Sequence, residues 1–405
     1  MAIIDSLRVI GSPETNRVMM GELIRLAQRG LGRRPPEPRK AGNGALIYPF
    51  DARLAVLILH YHRTSTRLLW DLYASRANRL EPLYDELLAD VARDTRAWLR
   101  PGATISVTTR NVDAFAAGSR QIVGTVKNAI VDGARARGLV VTVEPTAPDV
   151  EIAVRMHDSE ITVSIDLAGG SLSQRGYRTA GALAPLREHL AAVLCMLARY
   201  DARSEVFLDP MCGSGTLCIE AALMARAEPR IPHTSDNGHP TRHAVDSISA
   251  LARIPIFANQ LDDAARSPIP LFADTQPIIV GNDIDMAACR AARGNSRRAG
   301  VASMISWSHG DFRTLTHDRV AELGRHEIAR KGIILCNPPY GHRIDDNQLR
   351  SLYRDLSQWC ESFRGWRAAF LIGHSRWDEW FSRRPRISKS LRNGSLRVDF
   401  CLYDL

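Results

Sequence analysis

The sequence predicts an α/β protein with a mostly parallel sheet and an antiparallel C-terminal hairpin, preceded by an α+β region. From residue 185 onward, short apolar runs alternate with segments whose apolar residues recur at helical spacing. Near the C terminus, Asn393-Gly394 separates two strand-like segments and is a strong hairpin signal. Before residue 166, helical patterns precede two alternating segments, VEIAVRMH and EITVSIDL, without that regular alternation of strand and helix.

The patterns divide the chain into four parts. Residues 1–50 form a lead-in module with one helical pattern, at 15–28, and a Pro-rich stretch, RRPPEPRK, at 33–40. Residues 51–166 form the α+β region. Residues 167–184, rich in Gly, Ser and Arg, form a linker, and residues 185–405 form the α/β domain. An irregular insertion at 228–277, with a predicted helix at 244–252, interrupts the α/β domain.

Each element follows from a local pattern. In the α+β region, we predict helices at 52–60, 82–99 and 119–137, strands at 104–109 and near 140, and the hairpin around 157–159. In the α/β domain, the predicted order is helix 185–198, strand 206–208, helix 216–227, strand 278–280, helix 286–298, strands 304–307 and 332–335, helix 347–363, strand 368–372, and the hairpin 388–391 with 395–403.

Composition describes an ordinary globular protein with a basic balance. The chain has 405 residues, 45% hydrophobic and 24% charged, with a net charge of +9 that suits a polyanionic partner or a solvated surface equally well. No apolar run is long enough to span a bilayer, and the start lacks an export signal, so we expect a cytoplasmic location. The seven cysteines show no metal-ligand spacing, so we expect free thiols and no metal.

The stretch VFLDPMCGSGT, followed by a helical pattern, predicts a strand, a tight loop and a helix that bind a ligand. A dinucleotide fingerprint would need a third glycine where Cys218 stands, and a phosphate-binding loop would need a lysine. Asp209 just before the glycines suits a ligand with a cation and hydroxyls, and S-adenosylmethionine meets that demand. The residues assigned to this ligand in the loop are Asp209, Pro210, Gly213 and Gly215.

Acidic residues follow the next two strands. Asp283 stands where a carboxylate can accept hydrogen bonds from a ribose diol, with Ile284 placed to pack on adenine and Asp285 to cap the next helix. Asp311 can accept a hydrogen bond from the adenine amino group and Phe312 can stack near it. The alternative for this last pair is a helix cap with a core phenylalanine.

The segment Asn337-Pro338-Pro339-Tyr340-Gly341 follows the fourth strand and carries the chemistry. Methylating an exocyclic amino group requires acceptors that hold both N–H groups while positive charge develops on nitrogen. The Asn337 side-chain oxygen and the Pro338 carbonyl can be those acceptors, two prolines stiffen the loop, and Tyr340 offers a ring for a flipped base. Asparagine leaves guanine N2 and adenine N6 both open. Cys336 is interpreted as strand core.

Two basic segments have two interpretations each. Arg175, Tyr177 and Arg178 in the linker can contact RNA or simply order the linker, and the second interpretation is preferred. The C-terminal run, with basic residues at 383, 384, 386, 389, 392 and 397, can touch RNA phosphates or guard a hairpin edge against aggregation.

The sequence resembles the bacterial THUMP-domain RNA methyltransferases, above all the guanine-N2 methyltransferases of 23S ribosomal RNA. The resemblance is strong from Ser164 to the end and fainter over residues 50–163. The segments that carry it are SIDLAGGSLSQRGYR, LAPLREHLAAVL, LDPMCGSGTLCIEAALMA, GNDIDMAACRAARGNSRRAGV, CNPPYGHRI and LRNGSLRVDFCLYDL. It implies a Rossmann-like class I methyltransferase domain, S-adenosylmethionine as methyl donor, and a ferredoxin-like and THUMP region at 51–166 that docks structured RNA.

The expected function is therefore methyl transfer to guanine N2 of 23S ribosomal RNA, without the second methyltransferase half that some bacterial relatives carry. Transfer to transfer RNA or to adenine N6 stays open, as does a non-catalytic ribosome-assembly protein with a vestigial site. A nicotinamide oxidoreductase is disfavoured by the missing third glycine. The sequence does not predict the oligomeric state.

Overall fold

The computed structural model describes residues 2–178, 186–226, 251–257, 276–325, 327, 331–340 and 345–405, which fall into two compact units. The first unit takes in 1–10, 23–172 and 242–267, and the second takes in 11–22, 173–241 and 268–405. Within the described ranges no helix is both long and apolar enough to cross a membrane. The predicted insertion helix at 244–252 lies outside the described residues except for its last two positions.

The first unit is built on one eight-stranded sheet, in the order β2-β3-β1-β4-β8-β7-β5-β6. Its strands are β1 Ala2–Gly11, β2 Arg39–Lys40, β3 Ala45–Pro49, β4 Ser65–Ser75, β5 Thr104–Arg110, β6 Thr142–Val143, β7 Val150–His157 and β8 Glu160–Asp166. Its helices are α2 Ala52–Tyr61, α3 Leu80–Arg93 and α4 Ser119–Ala136, and α1 Asn16–Gly30 is divided between the two units.

The first 75 residues have the βαββαβ order of a ferredoxin-like unit, with strands in the order β2-β3-β1-β4. The sequence patterns missed β1, β2, β3 and β4, because only the fully buried Leu7 and Val9 mark alternation in β1 and nearly every residue of β4 is buried. This sheet continues across residue 50, so the strands before it and after it form one structure. The predicted boundary there stays a prediction.

Helix α3 ends six residues before the predicted position because of Asp94. Its backbone is extended, with ψ 119°, and its buried carboxylate accepts hydrogen bonds from the Tyr73 hydroxyl, the Arg96 backbone and the Trp98 indole. A carboxylate that receives local donors competes with the helical backbone pattern. The segment after Arg93 therefore leaves the helix and packs Trp98 into the core.

The second unit contains a seven-stranded sheet, in the order β11-β10-β9-β12-β13-β15-β14. Its strands are β9 Val206–Asp209, β10 Ile278–Asp283, β11 Ile305–His309, β12 Gly332–Cys336, β13 Arg367–Ile372, β14 Ile387–Asn393 and β15 Leu396–Asp404. Its helices are α5 Glu188–Leu197, α6 Thr216–Arg226, α7 Met286–Arg298, α8 His317–Gly324, α9 Asp346–Cys360 and the single turn α10 Trp377–Trp380.

This arrangement confirms the predicted fold class. Strands β9 to β13 are mutually parallel where they pair, and β15 runs antiparallel to β13 and to β14. The central strands β9 and β12 are buried at every residue, as expected for a parallel sheet covered on both faces. Helix α8 was not predicted. Its N-cap Thr316 accepts from the Arg319 backbone, a signal visible in the sequence only as a threonine before a short polar segment.

Residues 173–178 of the predicted linker are bound inside the second unit. Tyr177 is fully buried and donates to Glu220, and Arg175 forms an ion pair with the same carboxylate. Arg178 makes two hydrogen bonds to the buried Glu188. These residues anchor the linker, as the preferred interpretation predicts, and the alternative in which Tyr177 contacts RNA is wrong because its ring is inaccessible.

Candidate functional site

The site lies at the carboxyl ends of β9 and β12, where the strand order reverses. From β9 the chain builds β10 and β11 on one side and then returns to place β12 on the other. Strands β9 and β12 pair in parallel, with Ile334 opposite Leu208, so the loops after Asp209 and after Cys336 leave the same edge of the sheet. Ligands of open α/β sheets bind at such a switch point.

The glycine loop after β9 needs both of its glycines. Gly213 has φ +52° and Gly215 φ +83°, a region that residues with a Cβ rarely adopt. A Cβ on Gly215 would lie 2.5 Å from Cη2 of Trp307, and one on Gly281 would lie 2.5 Å from Cζ3 of the same ring. The Trp307 indole therefore packs directly against Gly215 of the loop and Gly281 of β10, and this contact fixes the position of the loop.

Asn282 and Asp283 join the loops that follow β9, β10 and β11. The Asn282 Nδ2 atom donates to the carbonyls of Pro210, at 3.1 Å, and Gly310, at 2.9 Å. The Asp283 carboxylate accepts from the backbone N–H of Gly213, at 2.7 Å, and from that of Asp285, at 2.9 Å. Each carboxylate oxygen keeps lone pairs for a further donor, so the ribose role stays available to Asp283.

Asp209 is 2% exposed, and Oδ1 of its carboxylate accepts from the Met211 backbone at 3.3 Å. Burial, reinforced by the negative charge of Asp283, raises the pKa of Asp209 to about 8. A cation at this corner would offset the desolvation and favour the charged carboxylate. The position therefore fits a ligand that carries an ammonium group.

The predicted adenine contacts divide into two kinds. Ile284 is 68% exposed directly after β10, an unusual place for a large apolar side chain, and Asp285 caps α7 as predicted by accepting from Ala287. Asp311 instead caps a short 3₁₀ turn and pairs with Arg313, at 2.6 Å. Phe312 is 5% exposed and packs edge-on against Trp359 in the core, which is the alternative interpretation and leaves little ring area for stacking.

The side-chain oxygen of Asn337 is the notable feature of the loop after β12. This atom, Oδ1, is buried and has no hydrogen-bond partner among the residues that the structure describes. Buried polar atoms in folded proteins are nearly always paired, so an unpaired acceptor next to a ligand-binding edge is available to a donor from a ligand. Asn337 therefore presents a free acceptor beside the ligand-binding edge.

The rest of this loop is fixed by contacts from three other elements. The Pro339 carbonyl accepts from the hydroxyl of Tyr353, a fully buried residue of α9, at 2.7 Å. The Tyr340 ring lies against Gly373, where a Cβ would come within 2.3 Å of Cδ2. Its hydroxyl accepts from Asn393 of the hairpin at 3.1 Å. Pro338 is buried, and Gly341 lies outside the described residues.

The structure thus brings together Asp209, Pro210, Gly213, Gly215 and Asp283 as one connected set, and it places Asn337 to Tyr340 on the neighbouring strand end. Sequence reasoning missed the residues that hold these loops: Asn282, Trp307, Tyr353, Gly373 and Asn393. Only Asn282 carried a signal, a polar side chain adjacent to the predicted ribose contact. The others come from distant elements, and their contacts arise only in the folded sheet.

Cys336 is the last residue of β12 and lies next to the Asn-Pro-Pro-Tyr loop. Burial raises the pKa of Cys336 well above its usual value, with Asp209 adding to the effect, so the thiolate is disfavoured. Cys336 is fully buried in β12, in agreement with its assignment to the strand core. Among the described residues no group of three or more histidine, cysteine or acidic side chains is arranged to hold a metal ion.

Known proteins share this architecture over the whole chain. A putative methyltransferase crystallised as a complex with SAH, SMU.472, matches with a TM-score of 0.79 at 23% identity and covers 100% of this chain and 99% of its own. TrmN from Thermus thermophilus matches with a TM-score of 0.66 at 19% identity and covers 99% of this chain and 100% of its own. At these identities the likeness shows the fold, which is the Rossmann-like methyltransferase fold.

Curated relatives match in sequence over a part of their length. The ribosomal RNA large subunit methyltransferase K/L of Syntrophotalea carbinolica is 33% identical over 287 residues, 69% of this chain and 38% of that protein. Its namesake from Saccharophagus degradans is 31% identical over 322 residues, 77% of this chain and 41% of that protein. The chain therefore spans about two fifths of the length of these relatives.

A family model also matches residues 175–399, more than half of the chain, and this range contains the switch point, the glycine loop and the Asn-Pro-Pro-Tyr loop. Two lines of comparison and the geometry therefore agree on one assignment. The chain belongs to the UPF0020 family, the RMKL-like methyltransferase domains.

Proposed function

We propose that this chain transfers a methyl group from S-adenosylmethionine to an exocyclic amino group of an RNA base, N2 of a guanine in 23S ribosomal RNA. The observation that carries the proposal is the buried, unpartnered Oδ1 of Asn337 at the same sheet edge as the glycine loop. A base amino group supplies the donor that this acceptor lacks. The predicted cytoplasmic location, where bacterial ribosomal RNA is made, belongs to the same proposal.

The residues present fit the proposed methyl donor. Asp209 offers a buried carboxylate for its ammonium group, Asp283 offers lone pairs for the ribose hydroxyls, and the exposed Ile284 offers an apolar surface for adenine. Gly213 and Gly215 let the backbone approach closely. Pro210 and Asp311 complete the proposed set, and Phe312 supports it from the core. The donor, when bound, supplies an electrophilic methyl group on a sulfonium centre.

The loop after β12 would act by holding the target amine. The Asn337 oxygen and the Pro338 carbonyl accept its two N–H groups, which aims the nitrogen lone pair at the methyl carbon. As the new N–C bond forms and the donor's S–C bond breaks, positive charge develops on nitrogen and these oxygens stabilise it. The surplus proton then leaves to water. Alignment of the two reactants supplies much of the rate.

Tyr340 would hold the flipped base. Its ring is fixed between Gly373 and the hydrogen bond from Asn393, so it offers a rigid stacking surface. Rigid aromatic surfaces receive extruded bases in enzymes that modify nucleic acids. Pro338 and Pro339 restrict the backbone, and Tyr353 fixes the Pro339 carbonyl, so the acceptors stay in place while the base enters.

The test is methylation of in vitro transcribed 23S ribosomal RNA by the full chain with isotopically labelled donor, followed by nucleoside mass spectrometry. We expect label in N2-methylguanosine and none with Asn337→Ala, which should still bind the donor in calorimetry. Label in N6-methyladenosine, or label in transcribed transfer RNA alone, would overturn the guanine or the ribosomal assignment. Equal labelling by wild type and Asn337→Ala would remove the proposed role of the loop.

A further inference from the structure

Strand β8 of the first unit presents apolar side chains to one face of the sheet and polar side chains to the other. In β8, Ile161, Val163 and Ile165 are fully buried and alternate with Thr162, Ser164 and Asp166. Residues directly opposite on paired strands point to the same face. Ser164 pairs with Asp71 of β4 and with Ala153 of β7, and Thr162 pairs with Arg155. The polar members of neighbouring strands therefore share one face.

Four arginines from four strands meet on this polar face: Arg8 of β1, Arg67 of β4, Arg110 of β5 and Arg155 of β7. We call them the arginine face. Arg110 and Arg155 are register partners in the parallel pair β5 and β7, so like charges lie side by side. A cluster of this kind is unfavourable on its own because each cation repels the next.

Two aspartates on this face each form an ion pair with one arginine. Arg8 pairs with Asp71 at 2.7 Å, and Ser164 donates to the second oxygen of Asp71 at 2.7 Å. Arg67 pairs with Asp166. Arg110 and Arg155 have no ion pair with any residue that the structure describes, so the face keeps two uncompensated positive charges.

Arg155 is partly buried, and the other three arginines of the face act on its guanidinium. Its Nη1 atom is buried and has no hydrogen-bond partner within the described parts of the chain. Burial lowers the pKa of its guanidinium, and Arg8, Arg110 and Arg67 lower it further, against the opposing effect of Asp71. A guanidinium stays charged in proteins, so an anion with oxygen acceptors would supply both the missing hydrogen bond and the missing charge.

We propose that the arginine face binds phosphates of the RNA backbone, with Arg155 at its centre and Arg110 beside it. The proposal rests on the proposed function in taking RNA as the substrate. The order β1-β4-β8-β7-β5 places the outermost arginines four strand spacings apart, about 19 Å at ~4.8 Å per spacing. This distance is larger than a single phosphate group, so it suits a polymer that carries phosphates at regular intervals. Phosphate contacts of this kind position an RNA without reading its sequence.

The test measures binding of protein-free, in vitro transcribed 23S ribosomal RNA to the full chain by filter retention over a series of KCl concentrations. Each phosphate contact contributes about 0.7 to 0.9 to the slope of log affinity against log salt. We expect Arg155→Gln and Arg110→Gln each to reduce the slope by about that amount and to weaken binding at low salt. Arg155→Lys keeps a point charge and should retain most of the slope.

The matched control is Arg135→Gln on α4, whose side chain is 74% exposed in an ion pair with Asp132. It should leave the slope and the affinity at the wild-type values. The exposed Arg110 gives a variant whose folding is not at risk. Slopes and affinities for Arg110→Gln and Arg155→Gln equal to those of Arg135→Gln would overturn the proposal.

Calorimetry of S-adenosylmethionine binding separates this proposal from the proposed function. We expect donor affinity to be unchanged in all four variants. Arginine-dependent RNA binding without any methylation would remove the proposed function and leave the arginine face supported. If Arg110→Gln and Arg155→Gln methylate RNA and also keep the wild-type RNA affinity and salt slope, the proposed function is supported and the arginine face is ruled out as an RNA-binding surface.

Discussion

The side-chain amide of Asn393, in the C-terminal hairpin, donates a hydrogen bond to the hydroxyl oxygen of Tyr340 at 3.1 Å. The two residues are 53 positions apart, and the hairpin thereby fixes the ring proposed to stack on the target base. A hydrogen bond between neutral groups contributes about 0.5 to 1.5 kcal/mol. Asn393 is in this sense a positioning residue for the Asn-Pro-Pro-Tyr loop.

Asn393→Ala should lower the rate of RNA methylation by about 2- to 12-fold, the equivalent of that one hydrogen bond. Donor affinity should not change, because β12 and β13 lie between the hairpin and β9, the strand that the glycine loop follows. Tyr340→Phe removes the same bond and should have a similar effect. The double variant should be no worse than either single one, and fully additive losses in kcat would contradict the pairing.

Gly373→Ala should displace the Tyr340 ring. A Cβ at residue 373 would come within 2.3 Å of Tyr340 Cδ2, far closer than two carbons approach. We expect methylation to fall at least ~10-fold, since small misplacements of reacting groups are costly, with donor affinity retained. Gly124→Ala, where a Cβ meets nothing within 4 Å, is the matched control. Wild-type kinetics in Gly373→Ala would show that the ring position is unimportant.

The two loop glycines should differ in the cost of a methyl group. Gly213→Ala meets open space and carries only the left-handed backbone penalty, about 1 to 2 kcal/mol. Gly215→Ala carries the same penalty and also collides with Trp307, at 2.5 Å. Thermal unfolding should show the larger loss for Gly215→Ala, and calorimetry should show donor binding abolished in it but only weakened in Gly213→Ala. The opposite ranking would contradict the observed loop geometry.

Asp209 should make the stability of the chain fall as pH rises. Its pKa is about 8 in the folded chain and about 3.9 when unfolded, so between these values the folded state holds a proton that the unfolded state has lost. Unfolding free energy therefore decreases across that window. Asp209→Asn is neutral in both states and should melt higher than wild type at pH 8 but not at pH 4. Parallel melting profiles would contradict the raised pKa.

Donor binding provides the complementary measurement on Asp209. An ammonium group beside the carboxylate favours its charged form, so binding to the wild type near pH 7 should release a proton. Calorimetry in buffers of different ionisation enthalpy should detect that release, and Asp209→Asn should show none. Hydrogen bonds to charged groups contribute about 1.5 to 3 kcal/mol, so the variant should bind at least ~10-fold more weakly.

The sequence predicted those parts of the molecule that local patterns determine. The strand, glycine loop and helix around Asp209 follow from the order of residue types, and α7 was predicted at its observed bounds, Met286–Arg298. Asn337 was identified because an amide after a buried strand and before two prolines has a chemical use. These features depend on neighbours within a few residues, which is the range over which patterns act.

The remainder depends on contacts between distant residues. The residues around Phe312 in the sequence do not indicate that its ring packs against Trp359 in the core. The residues around Gly373 likewise do not indicate that the Tyr340 ring lies against it. The strands of residues 2–75 were missed for a related reason, since β1 and β4 are defined by their pairing within the sheet more than by clear alternation. The arginine face likewise forms only when four separate strands align.

The antiparallel pairing of β4 with β8 has a practical consequence for anyone who shortens this chain. Removing residues 1–50 would strip β1 from one side of β4 and bare a row of unpaired backbone groups along Ser65–Ser75, which invites self-association. The amino-terminal segment is therefore a structural part of the eight-stranded sheet. Without β1, we expect the shortened chain to be less soluble and the pairing of β4 with β8 to be less stable.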